Sequence, residues 1–224
     1  MNKLSKTKFF YDIYCPNSWA AFQLLKRKTH VFSNLEYIPI SEFKTELLQR
    51  RQRNFNRREE RAQEIEVEDE EEKLLNEHKI KFLRDPSYSG STVPIDWEKT
   101  HDEVIAKKSF LPQLFLTSLK IRRPELQERG IEVIGDRLWN QKLPVNLCCH
   151  MSTVARQLGI SFKESEDIVA RLSATRCRHA LTNFCSEALA LGHIEGPIIV
   201  FTNNDGENSI TPMWKISLVL LNDD

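Results

Sequence analysis

Strand-forming sequence stands at both ends of this chain, with a long stretch of different character between them. Residues 4–14, LSKTKFFYDIY, fill their second half with aromatic and β-branched side chains, as a strand entering a core does. Cys15-Pro16-Asn17-Ser18-Trp19 follows, and Trp19, Phe22, Leu24 and Leu25 then keep helical spacing. Pro16 falls in the first helical turn, where its missing N–H costs nothing. LEYIPI at 35–40 reads as a second strand. The opening thus predicts a β-α-β unit with parallel strands and a right-handed crossover. At the far end, Pro197-Ile-Ile-Val-Phe-Thr202, a turn at Asn203-Asn-Asp-Gly206, a strand at 207–211 and an amphipathic stretch at 213–221 predict β-β-α. The Asp-Gly pair between the two runs is a strong hairpin signal.

The middle is not β. Residues 44–83 are charged and read as helical or loosely packed, and 84–97 form a loop rich in Pro, Gly and Ser. From 98 to 192 the periodicity predicts helices over 98–121, 124–141, 146–159, 162–174 and 176–191, broken near Pro124, Pro144 and Gly159. Ser161-Phe-Lys-Glu164 has the form of a capping box opening one of them. A β-α-β start and a β-β-α finish around a helical block is the layout of an α/β, thioredoxin-like fold interrupted by a large all-helical insertion. The expected division is 1–43 and 193–224 for the thioredoxin-like domain and 44–192 for the insertion.

Composition narrows the function classes. Lys+Arg and Asp+Glu both number 32, and this zero balance argues against a chain that coats nucleic acid or an anionic membrane. The neutrality is an average: 44–61 hold seven basic and three acidic side chains, whereas 62–77 hold one basic and eight acidic. A solvated helical insertion accounts for such a run, and arginines gripping a ligand carboxylate are the sharper alternative. No apolar run reaches the roughly 18 residues of a membrane span. The first ten residues lack a signal-peptide core, no arginine precedes Arg27, and Leu221-Asn-Asp-Asp224 is not a peroxisomal signal. The expected location is an intracellular reducing compartment, with cytosol, mitochondrion and peroxisome undistinguished. Only seven glycines are present, and the chain has no GxGxxG, GxxxxGK[ST], GxSxG or HExxH.

Five cysteines at irregular spacing, Cys15, Cys148, Cys149, Cys177 and Cys185, read as reduced thiols rather than a disulfide framework. Cys148-Cys149-His150 and the Cys177/His179 pair could in principle converge on zinc. No CxxC supports that, so buried helical cysteines and no metal are expected.

Cys15 is the thiol with a chemical address. It sits where a strand meets a helix N-terminus, whose N–H groups and dipole favour a thiolate, so a depressed pKa and the fastest reaction of the five are expected. Ser18, three residues on, could donate a hydrogen bond to the sulfur. A Cys-x-x-Ser site cannot close its own disulfide, but it can hold a mixed disulfide or steady an external thiolate. Gly196-Pro197, directly before the first C-terminal strand, falls where a thioredoxin-like fold keeps a cis-proline facing the redox cysteine. That geometry would offer the backbone of Gly196 to an extended peptide ligand.

Phe9-Phe-Tyr-Asp-Ile-Tyr-Cys-Pro-Asn-Ser-Trp19 resembles the opening FYD-x-x-SPYSW of the kappa-class glutathione transferases. Those enzymes belong to the DsbA-like branch of thioredoxin folds, with the 2-hydroxychromene-2-carboxylate isomerases as close relatives. Phe115-Leu-Thr-Ser-Leu119, Arg123-Pro-Glu-Leu126, Asp136-Arg-Leu-Trp139, Ala155-Arg-Gln-Leu-Gly159 and Gly192-His-Ile-Glu-Gly-Pro197 continue the likeness in order. It covers 9–40 and about 98–221 and leaves out the charged middle.

The resemblance implies glutathione as co-substrate, a small electrophile or peroxide as second substrate, and a homodimer in a mitochondrion or peroxisome. It places the catalytic position at Cys15, where the family has serine, with Ser18 beside it. Pro16, Asn17, Gly196 and Pro197 would line the tripeptide, and Asn54 would stand for the family's asparagine. The family's Ser-Asp pair for the γ-glutamyl end is replaced around Met213-Trp214-Lys215. Three functions stay open: glutathione-dependent transferase or peroxidase chemistry at Cys15, a monothiol DsbA-like oxidoreductase or isomerase, and a non-catalytic scaffold that binds a partner through its charged segment.

Overall fold

In the computed structural model, the described residues are 6–27, 34–42, 44–45, 48–49, 110–192, 196–202 and 208–212. They contain four strands in the order β2-β1-β3-β4: β1 (Lys6–Tyr11), β2 (Leu35–Pro39), β3 (Ile198–Thr202) and β4 (Asn208–Pro212). β1 pairs in parallel with β2, Phe9 opposite Tyr37, and antiparallel with β3, Phe9 opposite Ile199. β3 pairs antiparallel with β4. The two ends of the chain thus share one sheet, as the thioredoxin-like layout expected from the order of elements requires.

β1 is central, so its second half is buried on both faces. That explains the run Phe9-Phe10-Tyr11 where an edge strand would alternate. Lys6 and Lys8 lie near its open end and reach Glu36 at 3.1 Å and Glu187 at 2.5 Å. Helix α1 (Pro16–Arg27) follows directly, with Trp19, Phe22, Leu24 and Leu25 all buried.

Helices α2 (Leu111–Arg122), α3 (Gln127–Gly135), α4 (Cys148–Gln157), α5 (Phe162–Ala170) and α6 (Thr175–Ala190) follow the predicted breaks closely. The predicted 124–141 helix is a composite. A 3-10 turn (Pro124–Leu126) enters α3, and a π turn (Asp136–Asn140) continues it. At Ser161 half of the capping box forms: its Oγ accepts the Glu164 N–H at 3.3 Å. The Glu164 carboxylate instead accepts from Arg123 at 2.8 Å, because an ion pair across elements outcompetes the return arm to a backbone amide.

One core runs through sheet and helices. Phe9, Phe22, Phe115, Leu116, Ile134, Trp139, Val154 and Cys185 are all fully buried within it. The expected turn at 203–206, the amphipathic stretch 213–221, the charged segment beyond Gln49, the loop 84–97 and residues 98–109 lie outside the described residues.

Candidate functional site

Cys15 closes a tight turn at the end of β1. Its N–H donates to the Asp12 carbonyl at 2.9 Å, and its own carbonyl accepts the Trp19 N–H at 3.2 Å, which makes Cys15 the N-cap of α1. Pro16 is buried in the first turn, as expected.

Three elements hold that turn from behind. The Asp12 carboxylate is buried and accepts the Tyr14 N–H at 2.9 Å, the Glu42 N–H at 2.9 Å and a hydrogen bond from Gln113 Nε2 on α2. The Trp139 indole N–H, presented by the π turn after α3, donates to the Ile13 carbonyl at 3.1 Å. Such single π turns insert a residue into a helix and often sit at functional sites. The Ile40 N–H donates to the Tyr11 carbonyl at 2.9 Å and carries the ladder past β2.

In front of the thiol stands Glu42. Ser41 opens a helical turn there: its Oγ accepts the Lys44 N–H at 3.4 Å and its carbonyl the Thr45 N–H at 2.8 Å. The Glu42 carboxylate is hydrogen-bonded to the Cys15 thiol, and its Oε1 accepts the Gly196 N–H at 3.2 Å. One side chain therefore links Cys15 to a residue 181 positions later. Asn17 lies on the same side, since a Cβ built at Gly196 would come 3.8 Å from its Nδ2.

These surroundings reverse the expected acidity of Cys15. Burial pushes its thiol well above the ordinary value. The Glu42 carboxylate raises it further, both as a nearby negative charge and as acceptor of the thiol proton, and Asp12 adds to this. The Ser18 backbone N–H works in the opposite direction and is outweighed. The favourable helix N-terminus is present, but burial and two carboxylates overrule it. Ser18 also acts differently from expectation: its hydroxyl, 2% exposed, accepts the Asp12 N–H at 3.2 Å, and the backbone amide is what faces the sulfur.

Gly196 and Pro197 are buried and lead into β3 as expected, but the bond between them is trans, because the described residues contain no cis peptide. Gly196 adopts φ +70°, a left-handed conformation that makes the turn into β3 without one. Asn54 and Met213-Trp214-Lys215 lie outside the described residues.

Among the remaining thiols, Cys177 and Cys185 are buried, as expected. Cys177 Sγ donates to the Leu114 carbonyl at 3.2 Å, and burial pushes its pKa up to about 11. Cys148 and Cys149 are exposed, against expectation, because they occupy the open first turn of α4. His150 Nδ1 accepts the Leu147 N–H at 3.2 Å and so serves as a cap. Among the described residues no group of three or more metal-binding side chains is present, and no helix is long and apolar enough to cross a membrane.

Asp12, Glu42, Gln113 and Trp139 complete the site although none was singled out as a site residue. Asp12 and Trp139 lay inside the motifs Phe9–Trp19 and Asp136–Trp139. Glu42 and Gln113 carried no local signal.

No family model matches the chain. It is 22% identical over 205 residues to glutathione S-transferase kappa 1 of Homo sapiens, covering 89% of this chain and 83% of that protein. A 2-hydroxychromene-2-carboxylate isomerase superposes with a TM-score of 0.62 at 13% identity, over 97% of this chain and 93% of that one. The cytosolic disulfide reductase DsbM of Pseudomonas aeruginosa, also solved with glutathione, superposes at 0.54 and 11% identity, over 98% and 100%. The chain is thus similar in sequence to a kappa-class glutathione transferase, and it shares the DsbA-like thioredoxin fold of the isomerase and the reductase.

Proposed function

We propose that the chain carries out glutathione-linked thiol chemistry at Cys15, by thiol–disulfide exchange in preference to conjugation. The observation that supports this is the convergence of Cys15 and the Gly196 N–H on one carboxylate, since a peptide-like thiol ligand needs both a sulfur partner and a backbone partner. Conjugation would require a second thiolate, that of glutathione, to be held beside Cys15. A thiol at position 15 is a weaker hydrogen-bond donor than a hydroxyl and would steady that thiolate less well.

In the exchange step Cys15 sulfur attacks one sulfur of oxidised glutathione. The S–S bond of glutathione breaks as the Cys15–glutathione disulfide forms, and the departing glutathione thiolate takes up the proton lost by Cys15. With no Cys at position 18 the adduct persists until a second thiol resolves it. A peroxide or small electrophile is the remaining substrate class.

The test is peptide mapping by mass spectrometry after incubation with oxidised glutathione or with hydroxyethyl disulfide. Cys15 is expected to prefer the glutathione disulfide, while the exposed Cys148 and Cys149 discriminate little. Absence of a Cys15 adduct, or equal labelling by both reagents, would overturn the proposal. The second reading, a non-catalytic scaffold, is favoured by one observation: Cys15 is only 8% exposed, behind Glu42.

A further inference from the structure

We infer that Glu42 is a built-in occupant of the ligand edge at Gly196, so that an incoming peptide backbone reaches Cys15 only by displacing this carboxylate. The inference rests on the glutathione reading for the identity of the ligand, but not for the contact itself.

Gly196 is buried and its N–H is already taken by Glu42 Oε1 at 3.2 Å. A carboxylate oxygen in that place reproduces what the carbonyl of an extended ligand would offer a backbone donor. Glu42 is aimed there by its own backbone. Its N–H is anchored on Asp12 Oδ2 at 2.9 Å, and Asp12 is fixed in turn by Tyr14 and Gln113. The helical turn opened by Ser41 makes Glu42 its first residue, and the interaction of Ser41 N–H with Cys185 Sγ at 3.4 Å ties that turn to α6.

Glu42 itself is only partly buried, and ligand entry requires its side chain to leave Gly196 while its backbone stays anchored on Asp12. The inward rotamer covers the thiol, and the outward one frees both the thiol and the Gly196 amide. The raised pKa of Cys15 agrees with the inward state, because the same carboxylate holds the thiol proton.

Two measurements test this. The first follows the Gly196 amide by NMR hydrogen exchange in the free protein. Glu42→Ala should exchange about tenfold faster than wild type or more, and Glu42→Gln, whose side-chain oxygen still reaches the amide, should stay near wild type. The second follows adduct formation at Cys15 with oxidised glutathione. Both variants lose the negative charge, so any excess rate in Glu42→Ala over Glu42→Gln reports the vacated edge rather than a change in thiol acidity.

Equal Gly196 protection in Glu42→Ala and wild type would overturn the inference, as would, where Cys15 does form the adduct, a Glu42→Ala rate no higher than that of Glu42→Gln. Faster exchange with no glutathione adduct in any form would support the occupant and defeat the glutathione function. If Glu42→Ala does not fold, Glu42→Asp serves in its place. It keeps the charge but is too short to span to Gly196, and the same faster exchange is expected.

Discussion

Gly135 lies against the six-membered ring of Trp19: a Cβ placed on it would stand 2.1 Å from Cζ3 and 2.3 Å from Cε3. No flexible side-chain end can yield there, because the overlap is with the fused ring of a tryptophan that is 2% exposed and stacked on Phe22 at 5.8 Å. The last residue of α3 is therefore a glycine because α1 must approach it closely. Gly135→Ala is expected to destabilise by about 1–3 kcal/mol or more, read as a lower urea midpoint. In Trp19→Phe/Gly135→Ala the clashing atoms are gone, so the double variant should lose less than the sum of the single losses. Strict additivity would mean that the two residues do not meet.

Asp12 is expected to be structural. Its carboxylate satisfies Tyr14 N–H, Glu42 N–H and Gln113 Nε2, all behind the thiol. Burial lifts its pKa, and the three donors pull against that shift without cancelling it. Asp12→Ala removes a strained charge but leaves buried donors unmet, for a net cost of about 2–3 kcal/mol. Asp12→Asn keeps one acceptor oxygen and should fall between the two. Equilibrium urea unfolding measures both, and an Asp12→Ala protein as stable as wild type would contradict the role.

The order of thiol labelling provides a third test. At neutral pH, iodoacetamide should modify Cys148 and Cys149 first, since both are exposed, with Cys15, Cys177 and Cys185 far behind. The Cys15 rate should keep climbing as the solution is made alkaline, because burial and the Glu42 carboxylate delay its ionisation. Peptide mapping at several pH values reads this directly. A Cys15 labelled as fast as Cys148 at pH 7 would show that the thiol is not shielded as described.

That order is the reverse of what a strand–helix junction suggests, and the reason shows where sequence stops informing. The sheet was legible because its strands carry period and composition, and Cys15 at the N-cap of α1 was legible from Pro16. The helical breaks near Pro124, Pro144 and Gly159 were legible because proline and glycine act locally. Glu42 was not, because one glutamate at the edge of a charged run gains meaning only when it meets Gly196, 154 positions later. The acidity of Cys15 depends on that meeting, so the local helix-terminus argument gave the wrong sign. The trans Gly196–Pro197 bond escaped for a related reason: a left-handed glycine and a cis-proline both turn the chain, and the dipeptide permits either.

Alkaline pH should unfold the protein earlier than its neutral charge balance suggests. Cys15, Cys177 and Cys185 all have folded-state pKa values above the ordinary thiol value of about 8.5, Cys177 at about 11, mainly through burial. A group raised in the folded state binds its proton more tightly there than in the unfolded chain. Its stabilising contribution is complete below the unfolded pKa and disappears as pH rises through the folded one. The thiol contribution should thus be constant up to about pH 8.5 and be lost from there towards about pH 11. Tyr11 and Tyr37, also raised by burial, should steepen the fall above about pH 10. Urea midpoints across this range measure the slope, and Cys177→Ala should make it shallower between about pH 8.5 and 11. An unchanged slope in that variant would mean that Cys177 titrates as a free thiol.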